Sequence, residues 1–167
     1  MNRLILFRHG KTERHALSGD DMDRRLTVRG TEDAHLMSKV LAEAGLAPDL
    51  VLVSSAARAQ ETWDAAKPTF SSVRVEIRPE LYNSDQRDLM RIARKADAKA
   101  VMIVAHNPGL HALTSALLDE AGDAALQAEV RDGFPTAGIS VFDFDGDRVT
   151  ARGLFFPRDH GGGPSDD

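Results

Sequence analysis

Three short apolar runs, each ending in polar residues able to do chemistry, constrain this chain more than any other feature. Leu4-Ile5-Leu6-Phe7 leads into Arg8-His9-Gly10, Leu50-Val51-Leu52-Val53 into Ser54-Ser55, and Ala100-Val101-Met102-Ile103-Val104-Ala105 into His106-Asn107-Pro108-Gly109. Apolar runs of this length without alternation predict strands buried on both faces, as in the middle of a parallel sheet. Helical patterns lie between them. Thr27 is expected to cap a helix with Ala34, Met37, Val40, Leu41 and Ala44 on its apolar face, stopped by Gly45 and Pro48. A second helix follows Ser54-Ser55, with Ala59, Trp63 and Ala66 on one face. After a weaker strand over 73–77, a third is expected from about Ser84, burying Leu89, Ile92, Ala93 and Ala96. The fourth is expected to take Asn107 as cap and Pro108 as first helical residue, followed by Leu110, Leu113 and Leu117.

Alternating strands and helices imply right-handed crossovers and a largely parallel sheet. The fold class is therefore α/β, a three-layer α/β/α sandwich. Asp145-Gly146 between the apolar stretches 139–144 and 149–154 predicts a hairpin, which adds antiparallel strands at the C-terminal end. At 167 residues the chain fits one domain, expected over 1–156, with 157–167 as a flexible tail that closes in Gly161-Gly162-Gly163-Pro164-Ser165-Asp166-Asp167. No run is long enough to span a bilayer, no export signal is visible, and cysteine is absent, so a cytoplasmic location is expected and thiolate zinc sites are excluded.

Charge narrows the partners. The net charge of -5 argues against general nucleic-acid binding. Residues 1–30 nevertheless carry seven Lys/Arg against four Asp/Glu, while the remainder carries fourteen against twenty-two. The positive segment surrounds Arg8-His9.

In open parallel sheets, ligands bind beyond the carboxyl ends of the strands. There the sequence gathers Arg8-His9-Gly10, Ser54-Ser55 with Arg58 one turn on, and His106-Asn107. Arginine presents a planar fork of donors to phosphate oxygens, and helix N-termini add backbone donors. Neighbouring guanidinium charge keeps His9 unprotonated, free to attack phosphorus, and Gly10 is expected to let the backbone approach the ligand. Metal binding is the rival for the histidines, but His106 and His111 lack the i,i+4 spacing and HExxH is absent. Nor is there a GxxxxGK[ST], GxSxG or GxGxxG pattern.

These residues resemble the histidine phosphatase superfamily, the phosphoglycerate mutase-like fold, over residues 3–155. The strand-Arg-His-Gly signature falls on residues 4–10, the second arginine on Arg58 in Ser54-Ser55-Ala56-Ala57-Arg58-Ala59-Gln60-Glu61-Thr62, and the second histidine on His106. Asp23-Arg24-Arg25-Leu26-Thr27 with Gly30, the Leu81-Tyr82 segment and the short chain are similar to the SixA-type phosphohistidine phosphatases. The resemblance implies that His9 becomes transiently phosphorylated, that Arg8, Arg58 and His106 hold the phosphoryl oxygens, and that no metal or cofactor takes part. Gly10, Arg24 and Asn107 are candidate substrate-binding residues. Arg24 has an ordinary surface ion pair as its alternative.

Larger family members carry a proton-donating carboxylate after the strand that follows the second arginine. Here Glu13, Glu80 and Asp85 are candidates, and none matches that position cleanly. An alkoxide leaves poorly unless protonated, whereas imidazole leaves readily from phosphohistidine. The expected substrate is therefore phosphohistidine in a signalling protein. Small phosphomonoesters are the alternative substrate class, mutase activity is a weaker one, and a non-catalytic phosphoprotein-binding module comes from a different class. A phosphorylated protein or small phosphorylated molecule is the expected partner, with neither nucleic acid nor membrane. Trp63 reads as core, and His15, His35 and His160 as surface or tail residues.

Overall fold

The first apolar run is buried on both sides because the strand pleat sends successive residues to opposite faces. In the computed structural model, which describes residues 1–163, strand β1 (Arg3–Arg8) directs Leu4 and Leu6 to one face and Ile5 and Phe7 to the other. Leu50 and Leu52 against Val51 and Val53 repeat the division in β2 (Leu50–Ser54). The third run divides in the same way, Val101 and Ile103 against Met102 and Val104. With β3 (Arg74–Arg78) and β4 (Ala100–Ala105), these form the parallel part of a six-stranded sheet. Strands β5 (Ile139–Asp145) and β6 (Arg148–Phe155) complete it antiparallel, in the order β3-β2-β4-β1-β5-β6. Gly146, at φ 59°, makes the left-handed turn of the expected hairpin. The edge strand β3 is largely exposed and carries Arg74, Glu76 and Arg78, charges that discourage pairing with another chain.

Helices cover both faces. On the Ile5 and Phe7 side lie α1 (Val28–Glu43), through Ala34, Met37 and Leu41, and α2 (Ala57–Ala66), through Ala59, Trp63 and Ala66. On the Leu4 and Leu6 side lie α3 (Gln86–Lys95), through Leu89, Ile92 and Ala93, and α4 (Gly109–Ala121), through Leu110, Leu113, Leu117 and Leu118. The Thr27 cap is present, its side chain accepting from Gly30 N–H. Trp63 stacks on Phe70 in the core.

Four expectations are corrected. Helix α3 begins at Gln86, because Asp85 is its cap and accepts from Asp88 N–H at 2.9 Å. Helix α4 begins at Gly109 with Pro108 in the cap position; Asn107 does not cap it, because its amide donates to the carbonyl of Phe134 at 2.9 Å. A short helix α5 (Ala124–Glu129), capped by Asp123, was not expected. The tail expected from residue 157 is folded over its first part: Pro157–His160 forms a 3-10 turn, and Gly163 N–H donates to the buried Asp33 of α1 at 3.1 Å. That bond gives one oxygen of the buried carboxylate a donor. Residues 164–167 of the expected tail lie outside the described residues. Among the described residues no helix is long and apolar enough to cross a membrane.

Candidate active site

The carboxyl ends of β1, β2 and β4 meet because the strands are neighbours in register, Arg8 opposite Ala105 and Val53 opposite Val104. The main chain then holds His9 from two directions. Its N–H donates to Ala105 O at 3.2 Å, and its carbonyl accepts from Ala137 N–H at 2.9 Å. His9, Arg58 and His106 are buried, at 7, 7 and 9% exposure, and the two imidazole rings lie 5.3 Å apart between centroids.

Hydrogen bonding sets the chemistry of His9. Its Nδ1 lies 2.8 Å from the carbonyl of Gly10, which can only accept. The neutral ring therefore carries its proton on Nδ1 and keeps the Nε2 lone pair. Burial pushes the His9 pKa well below the usual imidazole value, and the charges of Arg8 and Arg58 push the same way. For His106, burial followed by the Arg58 charge lowers it to about 4. Both rings are neutral at neutral pH.

The packing gives Gly10 a reason of its own. A Cβ there would sit 2.4 Å from the carbonyl oxygen of Gly30, and a Cβ on Gly30 would sit 2.2 Å from Lys11 O. The missing side chains let the segment after β1 meet the start of α1 backbone to backbone. Gly10 N–H donates to Thr62 Oγ1 at 3.0 Å, and that hydroxyl donates to Arg58 O at 2.7 Å.

A cavity of about 580 Å³ opens over these groups. Five cationic side chains line it, Arg8, Lys11, Arg14, Arg24 and Arg58, together with His9, His106, Asn107, Thr12 and Thr136. Arg8 Nη1 and Asn107 Nδ2 both donate to Phe134 O, at 2.9 Å each. Arg24 lines the cavity and also pairs with Asp21 at 3.0 Å.

Asp21 is the functional candidate that sequence reasoning missed. Its backbone carbonyl accepts from Arg58 Nη1 at 2.9 Å, and its carboxylate accepts from Arg58 Nη2 at 3.0 Å, from Arg24 Nη1 and from the hydroxyl of Tyr82. One carboxylate so fastens two cavity arginines without itself lining the cavity. Tyr82, Arg24 and Arg58 hold its pKa far below the usual carboxylate range. The available signal was Asp20-Asp21 within an otherwise positive segment.

The candidate proton donors are elsewhere. Asp85 caps α3, Glu80 pairs with Arg78, and Glu13 offers its backbone carbonyl to Arg24; none lines the cavity. His111 contacts Val130 O at 2.6 Å, and His15, His35 and His160 are exposed. Among the described residues no three His, Cys, Asp or Glu side chains are grouped to hold a metal.

An imidazole with a free Nε2 lone pair beside clustered guanidinium groups, at the strand ends of an α/β sheet, has the chemistry to receive a phosphoryl group. The comparisons agree. Residues 4–89 match the histidine phosphatase superfamily (branch 1). An uncharacterized chloroplastic protein of Arabidopsis thaliana is 32% identical over 69% of this chain, which spans 58% of that protein's length. The structure of a candidate phosphohistidine phosphatase SixA from Agrobacterium tumefaciens superimposes with a TM-score of 0.81 at 30% identity, covering 93% of this chain and 98% of that one. A candidate alpha-ribazole-5'-P phosphatase of Escherichia coli shares the fold, with a TM-score of 0.67 at 22% identity over 93% and 98% of the two chains. The chain belongs to the histidine phosphatase superfamily, and its fold is SixA-like.

Proposed function

We propose that this protein removes phosphoryl groups from phosphohistidine in a partner protein, through a phosphohistidine intermediate on His9. The observation that carries the reading is the composition of the cavity. Its described lining has five cations and no carboxylate, and the one carboxylate bonded to its arginines, Asp21, is held ionised. The site is furnished to bind phosphoryl oxygens and poorly furnished to protonate an alkoxide.

In the first step His9 Nε2 attacks phosphorus, forming one N–P bond as the bond to the substrate's imidazole breaks. Gly10 O receives the Nδ1 proton's hydrogen bond throughout and steadies the positive charge that develops on the ring. Arg8 and Arg58 neutralise the phosphoryl oxygens. Water then attacks the phosphorus, inorganic phosphate leaves, and His9 is restored. Each step is carried by protein groups and water, and a cytoplasmic setting fits a chain without cysteine.

The test pairs substrate profiling with trapping. Turnover of a phosphohistidine-bearing protein is expected to exceed that of a panel of sugar phosphates and nucleotides, and turnover well in favour of the monoesters would reverse the substrate assignment. Rapid quenching into alkaline denaturant, where an N–P bond survives, should leave phosphate on the wild-type chain and none on His9→Ala.

A further inference from the structure

Ser54 is fully buried at the end of β2, and its hydroxyl lies 2.7 Å from Nε2 of His106. The same oxygen accepts a longer bond from Ala56 N–H, at 3.4 Å. The other ring nitrogen of His106, Nδ1, is buried and has no hydrogen-bond partner among the described residues. A neutral imidazole has one N–H and one lone pair, so the two nitrogens must take opposite roles.

Two arrangements are possible, and the hydrogen-bond accounting separates them. If Nε2–H donated to Ser54, the serine's own hydrogen would be buried without an acceptor, and the lone pair on Nδ1 would be left unmatched as well. If Ser54 donates to Nε2, the serine is satisfied both as donor and as acceptor, and a single group remains open, an N–H on Nδ1 of a ring that lines the cavity. Buried polar groups are seldom left unmatched. An N–H is matched when a phosphoryl oxygen enters, whereas a lone pair there would repel it.

The geometry points to Ser54 as a positioning residue that fixes His106 in its Nδ1–H tautomer, so that His106 serves the phosphoryl group as a neutral hydrogen-bond donor. This rests on the reading of the cavity as a phosphoryl site and deepens it, because it assigns His106 a hydrogen bond and no proton transfer. A neutral ring that gave up its Nδ1 proton would be left as an imidazolate, an anion facing the phosphoryl oxygens.

The tautomer can be read without any substrate. Nitrogen-15 chemical shifts of the ring in two-bond correlation spectra distinguish a protonated Nδ1 from a protonated Nε2, and the wild-type chain is expected to show His106 protonated at Nδ1. Protonation at Nε2 would overturn the proposal whatever the enzyme's activity. In kinetics, Ser54→Ala should lower kcat by about 10- to 100-fold, the range seen when partners that orient metal-bound histidines are removed, with restoration by Ser54→Thr. An unchanged kcat in Ser54→Ala speaks equally against it. Asparagine places its amide nitrogen where Nδ1 stands, and glutamine reaches toward Nε2. His106→Asn is therefore expected to outperform His106→Gln and to lose sensitivity to Ser54→Ala; equal loss in the two variants counts against the idea. Failure of the parent reading appears elsewhere, as absence of phosphate on His9 in the alkaline quench.

Discussion

Strand β1 carries an arginine near each end, and the surroundings put them to different use. At its amino end Arg3 forks onto Asp143 through Nε and Nη2, at 2.7 and 3.0 Å, and Arg152 approaches the same carboxylate at 3.6 Å. At its carboxyl end Arg8 lines the cavity and gives Nη1 to a backbone carbonyl. Arg58 sharpens the contrast, since it too is paired with a carboxylate at 3.0 Å. The carboxylate lies outside the cavity lining, so Asp21 fixes the guanidinium without occupying the anion's place. Neither an ion pair nor an open space beside it separates the two arginines, since Arg3 lines a hollow of about 570 Å³; what differs is that Asp143 lines the same hollow as Arg3, whereas Asp21 stays outside the one that Arg58 lines.

Several measurements would break or sharpen this contrast. The largest effect is expected at Arg58: Arg58→Ala should lower kcat/KM on a phosphohistidine protein by about 10²- to 10³-fold, the worth of one donor to developing negative charge. Survival of activity within a few-fold would place Arg58 with Arg3 as a structural residue. Next is the acid stability of the site end. The pKa of His106 is lowered to about 4 in the folded chain, while the unfolded ring titrates near its ordinary value, so the unfolded state takes up the proton first as pH falls. Stability is full above about pH 6.5 and drains toward about pH 4, by on the order of 3 kcal/mol at the limit. The lowered pKa of His9 works in the same sense. Urea denaturation at about pH 7 and about pH 5 should show His106→Asn losing less stability than wild type, and parallel losses would contradict the assignment.

A smaller effect is expected at the shared anchor. Asp21→Asn should reduce kcat/KM about tenfold, or about 1.4 kcal/mol, with little change in melting temperature, because Arg24 and Arg58 lose a common partner. A rise in activity would instead mean that Asp21 competes with the substrate. The smallest is Arg3→Ala. Its pair is partly exposed, so a stability cost of about 1 kcal/mol or less is expected, with phosphatase rate unchanged in the same preparation.

Much of this was legible in the chain because burial patterns are local. The three apolar runs announced β1, β2 and β4, and Thr27 announced the start of α1. Since ligands gather at strand ends, Arg8, His9, Arg58 and His106 followed from the same pattern. What escaped depends on partners far along the chain. Asp21 bonds to residues 37 and 61 positions away, and no periodicity links such distances. Asn107 looked like a cap because caps are local, but the carbonyl of Phe134, 27 residues on, takes its amide. Helix α5 buries none of its residues, so it has no apolar stripe to betray it. Gly10 was readable as an obligatory glycine, although its neighbour proved to be Gly30.

The contact of Gly10 with Gly30 also bears on which sequence changes the chain can absorb. With no atom to spare between the two backbones, the segment that follows His9 cannot shift unless α1 shifts with it. Large-to-small substitutions beneath α1, at Met37 or Leu41, are therefore expected to reach the cavity through this contact as well as to cost stability. A helix outside the cavity lining thus limits how far the segment beside the cavity can change.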